Sequence, residues 1–512
     1  MLDMGRAVRV TAGMRVLHAL FVTLAVPAAL STAAARPVTE GDLRKHIEIL
    51  ASDDFEGRAP GTEGERKTLD YLRNAWSKAG VKPGAADGSW LQPVEFVKRG
   101  PKTADVQFYS RGEKIRVVGD ELLLIGRESE YQREKLPAVF VGHGVNAAGE
   151  VNADVSGKLV FVLSDSAEFL PRELRQMRAR REKLLKAGAE GVIAISGEQF
   201  NYPAYRRALM SRPIVWAEKD LAVGVEGVAS PQYMVALVTA AGGDWDKMRA
   251  AAQAADYGGQ TLQLSADLSV MSDVRRFTSS NIIGKLPGRK PSTGAIVFMG
   301  HWDHLGICRP EGEPDRICNG AVDNASGMAV ITEVARRLAR QRHDRDIYFI
   351  GTTAEESGLW GAYAFAANPV VPLDQIKAVF NIDTIAIAPR GSKVAIIGRG
   401  KTSFDPDIER VAQKLGRKIE PSTDANSFLQ RQDGWALMQK GVASFMVGGS
   451  FADLGKLDAF LKGPYHGPED EVTADLQLGG AAEDSDLHVA LGQYFANARK
   501  FPPKKPEKGT GG

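Results

Sequence analysis

The sequence predicts an α/β fold: a mixed, largely parallel sheet flanked by helices, interrupted by an inserted, mostly β segment. Three observations carry this reading. After Asn281, short apolar strands alternate with helical patterns, which argues for a layered sheet covered by helices. Between about residues 103 and 272 the texture changes to short β-branched runs. Polar residues of metal-binding type stand where the apolar strands after Asn281 run out, and α/β sheets gather their active sites at the carboxyl ends of their strands.

The 512 residues, 44% hydrophobic and 25% charged, are enough for two or three domains, each with its own core. Sixty-five basic residues nearly balance 63 acidic ones, for a formal charge of +2. No global field draws nucleic acid or an anionic membrane to such a chain, and neither is expected as a partner. Oligomeric state is not legible.

Residues 1–35 read as a signal peptide. Arg6, Arg9 and Arg15 precede the apolar run 16–30, and Ser31-Thr32-Ala33-Ala34-Ala35 offers a small-residue cleavage site. The run is short for a membrane span, so no stable membrane anchor is expected. Met14-Arg15-Val16-Leu17 also reads as the start of a compact signal peptide, which leaves Met1, Met4 and Met14 as alternative starts. The expectation is export to the periplasm or secretion.

Residues 36–102 carry helical spacing at Leu43, Ile47 and Leu50, then at Leu69, Leu72 and Trp76, with Gly57-Arg58-Ala59-Pro60-Gly61 breaking between them. Two helices and a loop are expected. The insertion, 103–272, shows strands in Ala138-Val139-Phe140-Val141 and Leu159-Val160-Phe161-Val162-Leu163, one charged helix over about 171–187, and a strand in Gly191-Val192-Ile193-Ala194-Ile195. The basic run 172–186 reads as an exposed helix face. Residues 273–500 supply strands near 295–299, 347–350, 378–382, 394–397 and 444–447, with a helix over 326–340. Residues 501–512 are rich in Pro, Lys and Gly and read as a disordered tail.

The chain has two cysteines, Cys308 and Cys318, in a Pro- and Gly-rich stretch. Export would let them form a disulfide that clips one loop, and a pair of buried thiols is the alternative.

His301, Asp303 and His304 follow the strand at 295–300, Glu355 and Glu356 follow the strand at 346–351, and Asp383 ends the strand at 377–382. Asp323 lies in a loop just before a helix, and Tyr465-His466 completes the set. A hydrolytic zinc site needs imidazole and carboxylate ligands with one position left open for water. Two histidines with three carboxylates suit two metals that share one carboxylate. Asp424 and Asp433 read as solvated loop acids, with a place lining the pocket as the alternative, and His46, His143, His343 and His488 fall outside every cluster.

The stretches His301-Trp302-Asp303-His304-Leu305-Gly306, Asn319 to Gly327, Glu355-Glu356-Ser357-Gly358, Asn381-Ile382-Asp383 and Tyr465-His466 resemble the M28 zinc metallopeptidases. Gly57-Arg58-Ala59-Pro60-Gly61-Thr62 and Ser280-Asn281-Ile282-Ile283-Gly284 fit the same family, so the likeness covers about 40–100 and 279–498. The interval resembles a protease-associated (PA) domain, chiefly through Gly188-Ala189-Glu190-Gly191-Val192-Ile193. The resemblance implies a zinc exopeptidase fold of the phosphorylase/hydrolase-like type with two zinc ions per chain. It implies that Asp323 bridges them, that His301 and Asp383 complete one and Glu356 and His466 the other. Glu355 would be the general base, Asp303 would hold the imidazole of His301, and Tyr465 would offer a hydrogen bond to an oxyanion, with packing as the alternative. His304 reads as support for its loop. Gln432-Asp433-Gly434-Trp435 departs from the Ser-Asp-polar pattern of relatives, which puts side-chain preference in doubt.

The function implied is aminopeptidase action on peptides with a free N-terminus. A carboxypeptidase or glutaminyl cyclase of the same fold, or an inactive receptor-like module, are the alternatives. Retention of the whole ligand set speaks against the inactive module.

Overall fold

The computed structural model describes residues 36–119, 121–197, 201–210, 214–220 and 224–502. The segment read as a signal peptide and most of the tail lie outside them. Phe501 is described, and it packs edge-on against Phe404 and beside Phe495.

The first elements are α1 (Glu40–Leu50) and α2 (Glu63–Ala79). Thr39 and Asp42 form a reciprocal capping box on α1, and Thr62 accepts from the Glu65 amide to cap α2. Strands then follow as β1 (Leu91–Ser110), β2 (Leu122–Gly126), β3 (Glu130–Phe140) and β4 (Leu159–Leu163). After α3 (Met177–Lys186) come β5 (Gly191–Ile195), β6 (Ile214–Trp216), β7 (Val225–Ala229) and β8 (Gln260–Leu286). The last group is β9 (Ala295–His301), α4 (Ser326–Leu338), β10 (Asp346–Thr352), α5 (Trp360–Ala367), β11 (Ile376–Asn381), β12 (Ala395–Ile397), β13 (Ser444–Gly448) and α6 (Leu478–Phe495).

One sheet runs in the order β12-β13-β11-β9-β10-β8-β3-β4-β5-β7-β2. Pairings β13 to β11, β11 to β9 and β9 to β10 are parallel, as are β3 to β4, β4 to β5 and β5 to β7. Antiparallel β8 joins these two parallel groups, pairing β10 at its carboxyl end and β3 at its amino end. The mixed, largely parallel sheet expected from the sequence is therefore present, with α1, α4 and α6 against one face around Phe298, Phe349 and Phe380. Strands β9, β10 and β11 are buried along nearly their whole length, as strands covered on both faces must be.

Residues 103–272 carry more helix than the sequence suggested. Besides α3, helices form at Tyr202–Met210, Pro231–Ala240 and Trp245–Ala251. Val235, Val238 and Thr239 favour strands by propensity. Ser230 caps the Tyr233 amide, however, and Pro231 takes the first turn, two local signals that start a helix. The basic run is exposed at Arg172, Arg175, Arg178, Lys183 and Lys186, as expected, but not throughout. Arg180 is fully buried and donates to the carbonyls of His143, Leu163, Ser164 and Asp165, while Arg181 pairs with Glu226. No described helix is long and apolar enough to cross a membrane.

One side chain binds the amino-terminal part to the rest. Arg58 is 1% exposed. Its Nε donates to Trp302 O at 2.9 Å, Nη1 to Leu50 O at 2.7 Å and Asn319 O at 2.6 Å, and Nη2 to Gly320 O at 3.0 Å. Burial pulls the guanidinium down to about 10, while Asp470, Asp323, Asp303 and Glu356 push it back up. Gly57 next to it has φ +63°, and a Cβ there would sit 2.3 Å from the Cys318 carbonyl. That chain passes too close for any side chain. Cys318 is disulfide-bonded to Cys308.

Two outcomes are expected. Arg58→Met leaves buried carbonyls at 50, 302, 319 and 320 without their donor, and chemical denaturation should show a loss of at least about 3 kcal/mol; a change under 1 kcal/mol would mean the loops hold themselves. His488 is buried between Phe298 and Phe380, and its Nδ1–H donates to Asp484 O at 2.7 Å. Burial pushes its imidazole down to about 4. The unfolded chain, with an ordinary imidazole near 6.5, takes up the proton first. Stability is thus full above about pH 6.5 and falls as pH drops toward 4, by about 3 kcal/mol for this residue. Denaturation of His488→Gln across that range should show a flatter acid limb than the wild type.

Candidate metal centre

Parallel pairing aligns the carboxyl ends of three strands. His301 is opposite Thr352, and Met299 is opposite Asn381. The residues just beyond these ends, His301, Glu355, Glu356 and Asp383, therefore meet at one edge of the sheet. Asp323 enters from the turn before α4, and His466 from the loop before α6. Gly320 begins the Asp323 turn at φ +57°, where a Cβ would lie 2.0 Å from Asp323 O.

Asp323 is the centre of the group, and its two oxygens face different histidines. Oδ1 is 3.2 Å from His301 Nε2, and Oδ2 is 3.4 Å from His466 Nε2. Asp383 Oδ1 lies 3.4 Å from the same His301 nitrogen, while Glu356 Oε2 lies 2.8 Å from His466 Nε2. Ligand-type atoms of His301, Asp323 and Glu356 fall within 4.8 Å of one another. Glu355 Oε2 stands 4.0 Å from His301 Nε2. The structure thus brings together all six of the residues read as ligands or base.

The surroundings hold these groups in place. His301 Nδ1–H donates to the main-chain carbonyl of Asp303 at 3.0 Å, which fixes Nε2 as the free nitrogen. The Asp303 carboxylate lies farther off, at 3.9 Å, and instead accepts the Glu355 amide at 3.1 Å. Asp303 therefore orients the imidazole through its backbone and the base through its side chain. Thr384 Oγ1 donates to Asp383 Oδ1 at 2.9 Å. Asp470 accepts the amides of Val322 and Asp323 at 2.9 and 3.0 Å. Asn324 Nδ2 donates to Ile382 O at 3.1 Å, and its Oδ1 accepts the Gly327 amide. The Asp323–Asn324 peptide bond is cis.

The electrostatics are those of a site built for a cation. Asp303, Asp323, Glu355, Glu356, Asp383 and Asp433 are buried or nearly so, and among the described residues no Lys or Arg forms an ion pair with any of them. Burial, reinforced by Glu356, Asp433 and Asp383, holds the Glu355 carboxyl well above its ordinary range, with His301 opposing. Burial also pushes Asp303 up to about 8. Burial opposes charge on His466, yet Asp323 and Glu356 raise it to about 10. His301 Nε2, although close to two carboxylates, makes no well-directed hydrogen bond, and His304 Nε2 has none either. The buried His301 Nε2, without a well-directed partner and facing crowded carboxylates, fits the mixed N/O donor set of a divalent metal.

Several neighbours were not legible as such. Asp433, read as a solvated loop acid, is 1% exposed; it accepts from Thr352 Oγ1, and burial pushes it up to about 6. Asp424 is exposed as expected. His304 is buried, with Nδ1 2.5 Å from Glu356 Oε1, so its support reaches a candidate ligand directly. His143, His343 and His488 are buried, and His46 bridges Tyr71 and Glu333, all away from the centre. Asp470 hides in the acidic run Glu469-Asp470-Glu471. Tyr465 stacks on His466 with centroids 3.7 Å apart, and burial raises its phenol. Beside it lies a narrow cleft lined by Asp383, Thr384, Phe428, Arg431, Gln432, Met446, Phe451, Leu457, Leu461 and Tyr465.

The model of the family described as Peptidase family M28 matches residues 281–488. A probable zinc metalloprotease of Pyrenophora teres f. teres (strain 0-1) is 27% identical over 237 residues, 44% of this chain and 47% of that protein. Another, of Pyricularia oryzae (strain 70-15 / ATCC MYA-4617 / FGSC 8958), is 28% identical over 196 residues, 36% of this chain and 37% of that protein. The chain spans less than half the length of these curated relatives. Among solved structures, an aminopeptidase from Aneurinibacillus sp. strain AM-1 matches in fold with a TM-score of 0.55 at 18% identity, over 92% of this chain and 97% of that one. The segment that matches the model of Peptidase family M28, residues 281–488, contains the whole strand-end cluster.

Proposed function

We propose that this chain is an exported two-zinc aminopeptidase that removes N-terminal residues from peptides. The observation that carries the reading is the arrangement around Asp323: each of its oxygens faces one histidine, and each histidine has a second carboxylate beside it. In this reading His301 and Asp383 hold one zinc, His466 and Glu356 the other, and Asp323 both. Bound zinc would supply Lewis acidity, lowering the pKa of water toward neutrality and polarising the scissile carbonyl.

The chain's own residues do the rest. Glu355 takes a proton from water on its carboxylate and returns it to the departing amine, a task suited to a carboxyl whose affinity for protons is raised by burial and neighbouring acids. Asp303 fixes the base by accepting the Glu355 amide. Tyr465, kept protonated by burial, offers its hydroxyl to the developing oxyanion. Export is supported by the Arg-led apolar run of residues 6–35 and by the Cys308–Cys318 disulfide, which belongs to an oxidising compartment. Division into a peptidase part at 36–102 and 273–500 with a PA-like part at 103–272 completes the proposal.

The test is hydrolysis of aminoacyl chromogenic amides and their N-acetylated counterparts by the full chain. Free-amine substrates alone should be cleaved, a chelator should abolish cleavage, and zinc should restore it. Glu355→Gln should lower kcat by about 10³-fold while zinc content stays at that of the wild type. Equal cleavage of N-acetylated substrates would overturn the aminopeptidase assignment, and full activity of the Glu355→Gln protein would remove that residue from the mechanism.

A further inference from the structure

The turn that carries Glu355 and Glu356 does not rest on the peptidase part alone. It folds tightly on itself: Gly358 N and Leu359 N both donate to Glu355 O, Trp360 N to Ala354 O and Gly361 N to Thr353 O. Such a turn requires left-handed backbone at Ala354 (φ 53°), Gly358 (φ 121°) and Leu359 (φ 62°). Residues with a Cβ adopt that conformation only where the surroundings enforce it. On one side the enforcement comes from Asn281, whose Oδ1 accepts Thr353 N and whose Nδ2 donates to Gly361 O.

On the other side it comes from the insertion. Arg178 of α3 lays its guanidinium over the Trp360 ring, with Cζ 4.0 Å from the centroid. Its Nη1 comes within 3.0 Å of where a Cβ on Gly358 would stand, so the same group lies against the turn itself. Trp360 Nε1 donates to Ile214 O of β6 at 2.9 Å. Ala354 and Trp360 share an apolar cluster with Ile214 and Trp216. Arg178 lies at the surface, and among the described residues no carboxylate forms an ion pair with it, so the aromatic face is its principal partner.

We propose that Arg178 is a positioning residue: through Trp360 and Gly358, the insertion holds the turn that aims Glu355 and Glu356. The proposal rests on the roles assigned above to those two residues, and it goes beyond them by making the inserted segment a structural part of the centre.

The test compares full-length wild type, Arg178→Met and Arg178→Lys. Methionine keeps the aliphatic packing while removing the planar cation, and lysine restores charge without the fork. Amide hydrogen exchange in residues 353–361 should quicken by about 10-fold in Arg178→Met, with exchange in β9 and β11 unchanged. On the best chromogenic amide, kcat should fall by about 10-fold with KM within two-fold of wild type, and Arg178→Lys should lie between the two. Wild-type exchange rates at 353–361 in Arg178→Met would overturn the proposal whatever the activities are. A wild type inactive on every peptide would sink the assigned function instead, and the exchange comparison would still decide this point.

Discussion

Four hydrogen bonds from one guanidinium hold the centre's framework together. Arg58 stands on a loop between the first two helices, yet every acceptor it reaches is a main-chain carbonyl, at Leu50, Trp302, Asn319 and Gly320. Two of those carbonyls adjoin the turn that ends in Asp323, and a third adjoins His301. A neutral donor could satisfy one or two of them. The planar fork of arginine satisfies all four, and its charge offsets part of the negative field of Asp323, Asp303 and Glu356. The amino-terminal helices are in this sense part of the site, although none of their residues reaches the metal-binding cluster.

The same field explains why acids can be packed so densely. Six carboxyl groups near three imidazoles are unfavourable unless protons or cations are shared among them. The structure supplies partial relief through amides: Asp470 takes two at the Asp323 turn, and Asp303 takes one from Glu355. A set arranged this way is costly to leave without a cation and well disposed to bind one. The chain spends fold stability to keep ligands apart from their natural counter-ions.

Much of this was legible in the sequence because α/β topology turns position along the chain into position in space. His301, Glu355 and Asp383 each follow an apolar run, and parallel pairing then forces the ends of those runs together. The same logic fails for residues whose role depends on a long-range carbonyl. Arg58 is visible only as one letter of a glycine-rich loop, and nothing local indicates that it crosses to Trp302 and Asn319. Asp433 and Asp470 look like ordinary loop acids, since burial is set by what packs over them. Within the insertion, composition favoured strands where Ser230 and Pro231 start a helix. Arg180 was lost in a basic run that reads as solvated, because charge patterning cannot tell which arginine points inward.

Strand β8 runs unbroken from Gln260 to Leu286 and pairs with β1 from Leu264 to Ile282, its one irregularity in that ladder falling at Met271/Ser272. Its first half pairs with β3 and its carboxyl end forms the edge to which β10 is bonded. Two long strands bonded side by side act as a beam, and a beam resists a hinge. Any movement of residues 111–259 relative to the strand-end cluster would have to bend or twist this ribbon. Displacement at one end is consequently transmitted to β10, the strand whose end leads into Glu355.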